Sequence, residues 1–157
     1  MTLKKATMTE KEIELIESTC SEAVIQHTCV AWFRKTFPHL KPLLFAVPNG
    51  GWRGARAGKQ MVYEGQLKGV SDLILLPHMA GITPLCIEMK VPKKKGSSAG
   101  RQSEEQKAWQ SEVESFGNKY VICHGLIEFV SAVCTHLTGV DVERYITEAK
   151  NKFPLYR

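Results

Sequence analysis

The chain has 157 residues, 43% hydrophobic and 24% charged, and a formal net charge of +5. That balance is expected of one soluble globular domain able to bury a core, and it excludes a disordered or collagen-like chain. No run approaches the ~18 apolar residues of a membrane span. Met1-Thr2-Leu3-Lys4-Lys5 leads into no signal-like apolar stretch, so a cytoplasmic protein without membrane association is expected. The five cysteines (Cys20, Cys29, Cys86, Cys123, Cys134) are odd in number, form no Cys-x-x-Cys pair, and several fall in apolar runs. They are expected to be reduced, buried thiols, and the histidines do not pair with them at zinc-ligand spacing.

In chain order, residues 1–8 are expected to be disordered. Thr9-Glu10-Lys11-Glu12 is a capping box that starts a short helix to about Glu17. A second helix is predicted from about Ser21 to Thr36, stopped by Pro38. Glu22, Gln26, Val30, Phe33 and Phe37 form one stripe on it, widened by Ile25, Cys29 and Trp32. Glu22 and Gln26 thus continue an apolar face. The alternative is a helix start emerging into solvent, where a first-turn Glu is favoured by the dipole. Pro42–Val47 reads as a first strand, and Pro48-Asn49-Gly50-Gly51 as a turn. The basic segment Trp52–Gln60 is a loop entering a helix that ends near Tyr63-Glu64-Gly65. It holds no nucleotide-binding glycine fingerprint. Arg53, Arg56 and Lys59 are candidate phosphate contacts, and Trp52 either stacks on a base or packs.

Two apolar runs follow, Gly69–Leu76 and Leu85–Lys90, separated by turn residues Pro77–Gly81, and they predict a hairpin of buried strands. Buried strands rarely carry charge without reason, yet this pair carries Asp72, Glu88 and Lys90. Alternation puts Glu88 and Lys90 on one face, with Asp72 able to join them from the neighbouring strand. Two readings stand: a structural salt bridge, or a divalent-metal site with an adjacent cation. In the second, Glu22 is a candidate third carboxylate. Lys93–Arg101 is a basic Gly/Ser loop suited to a phosphate backbone. Ser103-Glu104-Glu105-Gln106 is a second capping box, opening a helix to about Phe116 with Gly117 as its stop. Gln106, Trp109, Val113 and Phe116 form a core-facing stripe that would aim Gln106 at Lys90. Lys119–Cys123 is a final strand parallel to the third, because a helix crosses between them. Helices over Ile127–Leu137 and Asp141–Lys150 and a tail over 151–157 complete a single domain: an α/β sandwich around a small mixed β-sheet flanked by helices.

Charge is unevenly spread. Residues 1–49 carry six Lys/Arg against five Asp/Glu, residues 50–101 nine against three, and residues 102–157 six against eight. The basic excess sits in the middle third, where two of the three acids are Asp72 and Glu88. Acids kept inside a basic segment suit a metal-dependent enzyme acting on a polyanion. A solvated basic loop is the plainer alternative.

The ordered set of Glu22 and Gln26, Pro48-Asn49-Gly50-Gly51, Glu64-Gly65, Lys68-Gly69-Val70-Ser71-Asp72-Leu73, Ile87-Glu88-Met89-Lys90, Ser103-x-x-Gln106-x-x-Trp109 and Gly117 resembles the virus-type replication-repair nuclease (VRR-NUC) domain. That domain is a branch of the PD-(D/E)xK nuclease superfamily, and the resemblance covers roughly residues 20–137. Ser71 stands where the superfamily's named motif has proline. The compact chain resembles the stand-alone phage and bacterial members. The resemblance implies a restriction-endonuclease-like core of order α-β-β-β-α-β and metal-dependent DNA endonuclease activity. Asp72, Glu88 and the Met89 backbone carbonyl would bind Mg²⁺ or Mn²⁺, and Glu22 would complete the acidic site. Lys90 would activate the attacking water or stabilise the phosphorane, and Gln106 would position Lys90 or the scissile phosphate. Lys68, Lys93, Lys94, Lys95 and Arg101 join Arg53, Arg56 and Lys59 as expected DNA contacts. The resemblance also implies structure selectivity for branched DNA such as flaps or four-way junctions, which a homodimer would suit. The competing expectations are a nucleic-acid-binding module with an inactive site and a sequence-specific restriction-type endonuclease.

Overall fold

The computed structural model describes residues 7–48 and 55–154, without the side chains of Ala55 and Arg56. The elements in order are α1 (Glu10–Glu17), α2 (Glu22–Thr36), a 3-10 helix (Pro38–Leu43), β1 (Leu44–Ala46), α3 (Ala55–Tyr63), β2 (Leu73–Leu75), β3 (Leu85–Lys90), α4 (Glu104–Ser115), β4 (Lys119–His124), α5 (Leu126–His136) and α6 (Val142–Lys152). Both capping boxes form: Thr9 and Ser103 accept from the third helical N–H, and Glu12 and Gln106 reach back to the cap.

The strands lie in the order β1-β2-β3-β4. β1–β2 and β2–β3 are antiparallel, and β3–β4 is parallel across α4. The sheet is mixed, as expected. The registers pair Leu73 with Ile87 and Ile87 with Val121, so period-two alternation sorts the strands into two faces. One face presents Leu44, Leu73, Leu75, Leu85, Ile87, Met89 and Cys123, all in the main core with Ile25, Cys29, Trp32 and Phe33 of α2 and Phe129, Val130 and Val133 of α5. Trp32 sits edge-to-face with Phe37, Phe129 and Tyr145 at 5.8, 6.1 and 6.5 Å, joining α2, α5 and α6. Burying each such ring contributes about 1.5–3 kcal/mol. The other face carries Asp72, Cys86, Glu88, Lys90, Tyr120, Ile122 and His124, covered in part by α4 through the contact of Trp109 with Tyr120.

Several expectations are corrected. The first strand is only Leu44–Ala46, because Pro42 lies inside the 3-10 helix. Ladder bonds from Leu76 N to Leu43 O and from Val47 N to Asp72 O extend the pairing by one residue at each end. The second strand shrinks to Leu73–Leu75. On α2 the buried face centres on Ile25, Thr28, Cys29, Trp32 and Phe33, leaving Glu22 exposed and Gln26 and Val30 half-buried. The α4 stripe is core-facing only in its first part. Phe116 is 85% exposed, because the chain turns away at Gly117 to enter β4. Of residues 1–8, Met8 packs against the core and Thr7 bonds Asn151. The expected C-terminal tail is helical to Lys152, and Phe153 is buried.

Two local devices set element positions. Gly69 has φ +76°, and a Cβ there would lie 2.2 Å from the Glu105 carbonyl oxygen. Only glycine lets the chain before β2 close against the first turn of α4. At the same end of the sheet, beyond β4, Glu17 is buried and accepts from Leu126 N at 2.9 Å. It caps α5, whose N-cap Gly125 has no side chain to offer. Burial pushes its carboxyl up to about 7, against the lowering by that N–H.

A buried acid-lysine cluster beside a basic cavity

The β2–β3 register continued by one residue places Asp72 opposite Glu88, with both side chains on the α4 face. At this point the backbone ladder stops, and Asp72 Oδ2 itself accepts from Met89 N at 2.8 Å. The N–H and C=O of one strand residue face the same edge. The Met89 carbonyl therefore turns towards the Asp72 edge of β3.

Glu88 is fully buried. Its Oε1 accepts from Lys90 Nζ at 2.7 Å and from Gln106 Nε2, and its Oε2 from Tyr120 Oη at 3.3 Å. Burial raises its carboxyl above the ordinary range, opposed mainly by Lys90 and reinforced by Asp72. Lys90 is 6% exposed. Its stem is overlaid by Gly100, where a Cβ would meet Lys90 Cβ and Cδ at 3.3 Å, while Gly100 N bonds Val91 O. The end of the 93–101 loop thus folds back at Gly100 and covers the lysine stem, while residues 93–98 are exposed. Glu22, half-exposed at the start of α2, comes within 3.9 Å of Lys90 Nζ. It emerges into solvent and also faces the cluster, so both readings of its position hold in part.

Gln106 likewise satisfies two expectations at once. Its Oε1 accepts from Ser103 N at 2.8 Å in the capping box. That bond fixes the amide orientation and turns Nε2 towards Glu88.

Asp72, Glu88, Lys90 and Gln106 are thus gathered on one face, with Glu22 at its rim. Among the described residues, no three His, Cys, Asp or Glu side chains lie close enough to form a metal cage. The donors present are carboxylate and main-chain oxygens, which suit a hard cation. Mg²⁺ is often held by one or two carboxylates, with waters and substrate phosphates completing the shell. The residues fit such a cation, with Asp72 and Glu88 as its carboxylates.

Next to the cluster lies an open cavity of about 560 Å³ lined by Lys93, Gly100, Arg101, Gln102, Lys107, Ile122 and His124, among others. The His124 ring lies 3.1 Å from Gly100 O and 3.2 Å from Glu128 Oε2, tying the loop to α5. Of the expected DNA contacts, Lys93 and Arg101 line this cavity, whereas Lys59, Lys68, Lys94 and Lys95 are exposed elsewhere. Trp52, Arg53 and the side chain of Arg56 lie outside the described residues. Tyr120, Gln102, Lys107 and His124 were not singled out from sequence. Tyr120 carries one usable signal, since parallel pairing with the third strand puts it beside Cys86 on the Glu88 face.

All five cysteines are free thiols. No helix among the described residues is long and apolar enough to cross a membrane.

A comparison with curated proteins finds no match. A solved structure described as a VRR_NUC domain protein superposes with a TM-score of 0.61 at 17% identity, covering 76% of this chain and 90% of its own, a likeness of fold. The family model of the VRR-NUC domain matches residues 21–126. That match spans α2 to the start of α5, including every residue of the Asp72–Glu88–Lys90–Gln106 cluster, and the chain belongs to the VRR-NUC domain family.

Proposed function

We propose that this nuclease-family chain is a Mg²⁺- or Mn²⁺-dependent DNA endonuclease acting on branched DNA such as flaps or four-way junctions. The observation that carries the reading is the convergence of Asp72, Glu88, Lys90 and Gln106 on one sheet face beside a basic cavity. Asp72, Glu88 and the Met89 carbonyl would hold the cation, which supplies a nucleophile at neutral pH and neutralises phosphate charge. Lys90 presents a preorganised positive charge, held by its buried stem, where the transition state gains negative charge. Gln106 fixes the Glu88 carboxylate and, through it, Lys90. Glu22 sets the charge on the exposed side of Lys90. Lys93 and Arg101, with Lys107, would hold phosphates flanking the scissile bond, and Lys59, Lys68, Lys94, Lys95, Arg53 and Arg56 would extend that contact. A symmetric dimer would present two such sites to a four-way junction.

The test is cleavage of labelled single-stranded, duplex, flap, fork and junction DNA with Mg²⁺, Mn²⁺ or EDTA, beside folded Asp72→Ala and Lys90→Ala proteins. Metal-dependent cutting lost in both variants is expected, with branched DNA the best substrate. Replacing Lys93, Lys94 and Lys95 with alanine should lower the salt slope of binding by about 0.9 per lost phosphate contact. Discrete fragments from a randomised duplex would indicate a sequence reader instead. A second reading, DNA binding without cleavage, is favoured by one observation: both Glu88 oxygens are already taken by protein donors. Retained binding with no cutting under any metal would select it.

A further inference from the structure

The hydroxyl on Glu88 Oε2 belongs to a directed chain of hydrogen bonds. At its outer end, Gln110 Nε2 donates to Glu114 Oε1 at 3.2 Å. A carboxylate only accepts, so Gln110 must turn its own oxygen the other way. That oxygen accepts from Gln102 Nε2 at 2.9 Å. Gln102 is thereby obliged to present its amino group, which also donates to Tyr120 Oη at 3.2 Å. With that lone pair taken, the Tyr120 proton is left for Glu88 Oε2 at 3.3 Å. Both ends are carboxylates, so every amide orientation between them is forced. The ring carrying the hydroxyl is itself held by Trp109, 6.0 Å between centroids.

We propose that Tyr120 is a positioning residue for Glu88, its hydroxyl aimed by Gln102 and Gln110 so that the carboxylate keeps one orientation when Lys90 and Gln106 exchange contacts on the other oxygen. This rests on the reading of Glu88 as a metal ligand. Partners that orient a ligating carboxylate typically change metal affinity by about 10–100-fold when removed. A carboxylate at position 102 would reverse the direction, because it could only accept from Tyr120.

The experiment is Mn²⁺ binding by calorimetry to the DNA-free protein, for wild type, Tyr120→Phe, Gln102→Glu and Asp72→Ala, with thermal melts as a control of folding. Tyr120→Phe is expected to weaken Mn²⁺ binding about 10–100-fold, and cleavage should return towards the wild-type rate as Mn²⁺ is raised to saturation. Gln102→Glu keeps the tyrosine but draws its proton away from Glu88, so it should weaken binding in the same direction. A packing role for Tyr120 would leave that variant unaffected. Gln102→Glu also carries the test alone if Tyr120→Phe does not fold. Wild-type affinity within twofold in both folded variants overturns the positioning role while leaving the nuclease reading intact. A wild type indistinguishable from Asp72→Ala, neither binding Mn²⁺, overturns both.

Discussion

Replacing Lys90 with methionine should expose what the acid-lysine cluster costs the fold. The substitution keeps an unbranched side chain under Gly100 but removes the ammonium 2.7 Å from a fully buried carboxylate. Breaking a buried pair from one side typically costs about 3–5 kcal/mol. Gln106 and Tyr120 still donate to Glu88, which places the expected loss at the lower end, about 3 kcal/mol. The loss should depend on pH. Burial already raises the Glu88 carboxyl, and Lys90 is the main opposing influence, so the variant's carboxyl rises further. A carboxyl that titrates higher in the native state binds more protons there, and stability then falls as pH rises through the folded value. The deficit should therefore be larger at high pH and shrink as falling pH neutralises the carboxyl. Adding Glu88→Gln removes the stranded charge and should recover at least half of the loss. Urea denaturation in EDTA at pH 5 and pH 8, followed by tryptophan fluorescence, measures all three. A loss under about 1 kcal/mol at pH 8, or a double variant as unstable as the single, would refute the argument.

Gly69→Ala should cost about 2–6 kcal/mol, combining a left-handed backbone with overpacking against Glu105. Gly96→Ala, with a similar φ of +79° but open space around it, should cost only the backbone part, about 1–3 kcal/mol. Equal losses in thermal melts would show that the closure of β2 on α4 does not need the glycine. Glu17 titrates at about 7 in the fold against 4.5 ordinarily, so it contributes a fall in stability of about 3 kcal/mol as pH rises from below 4.5 to above 7. Glu17→Gln should flatten that fall, and an unchanged stability-pH curve would remove Glu17 as its cause.

Local chemistry was readable from the chain alone. Thr9 with Glu12, and Ser103 with Gln106, act over three residues, and both capping boxes form as read. The hairpin and the parallel final strand also follow from neighbouring signals. Asp72, Glu88 and Lys90 stood out because charge in an apolar strand is anomalous wherever the strand goes. Phe116 and the α2 stripe show where that reading stops. Helical periodicity says which residues share a face, but where along it burial begins and ends depends on the other elements.

The sequence by itself therefore determined which charged groups stand out and on which elements they sit, since capping, alternation and turn preference act within a few residues. Only the tertiary structure decided what those groups meet. The approach of Gly69 to Glu105, the roof of Gly100 over Lys90, and the chain from Glu114 through Gln110, Gln102 and Tyr120 to Glu88 join residues from different elements. Hydrogen bonds and close contacts act over a few ångströms, and which atoms come that close is set by packing that no short stretch of the chain encodes.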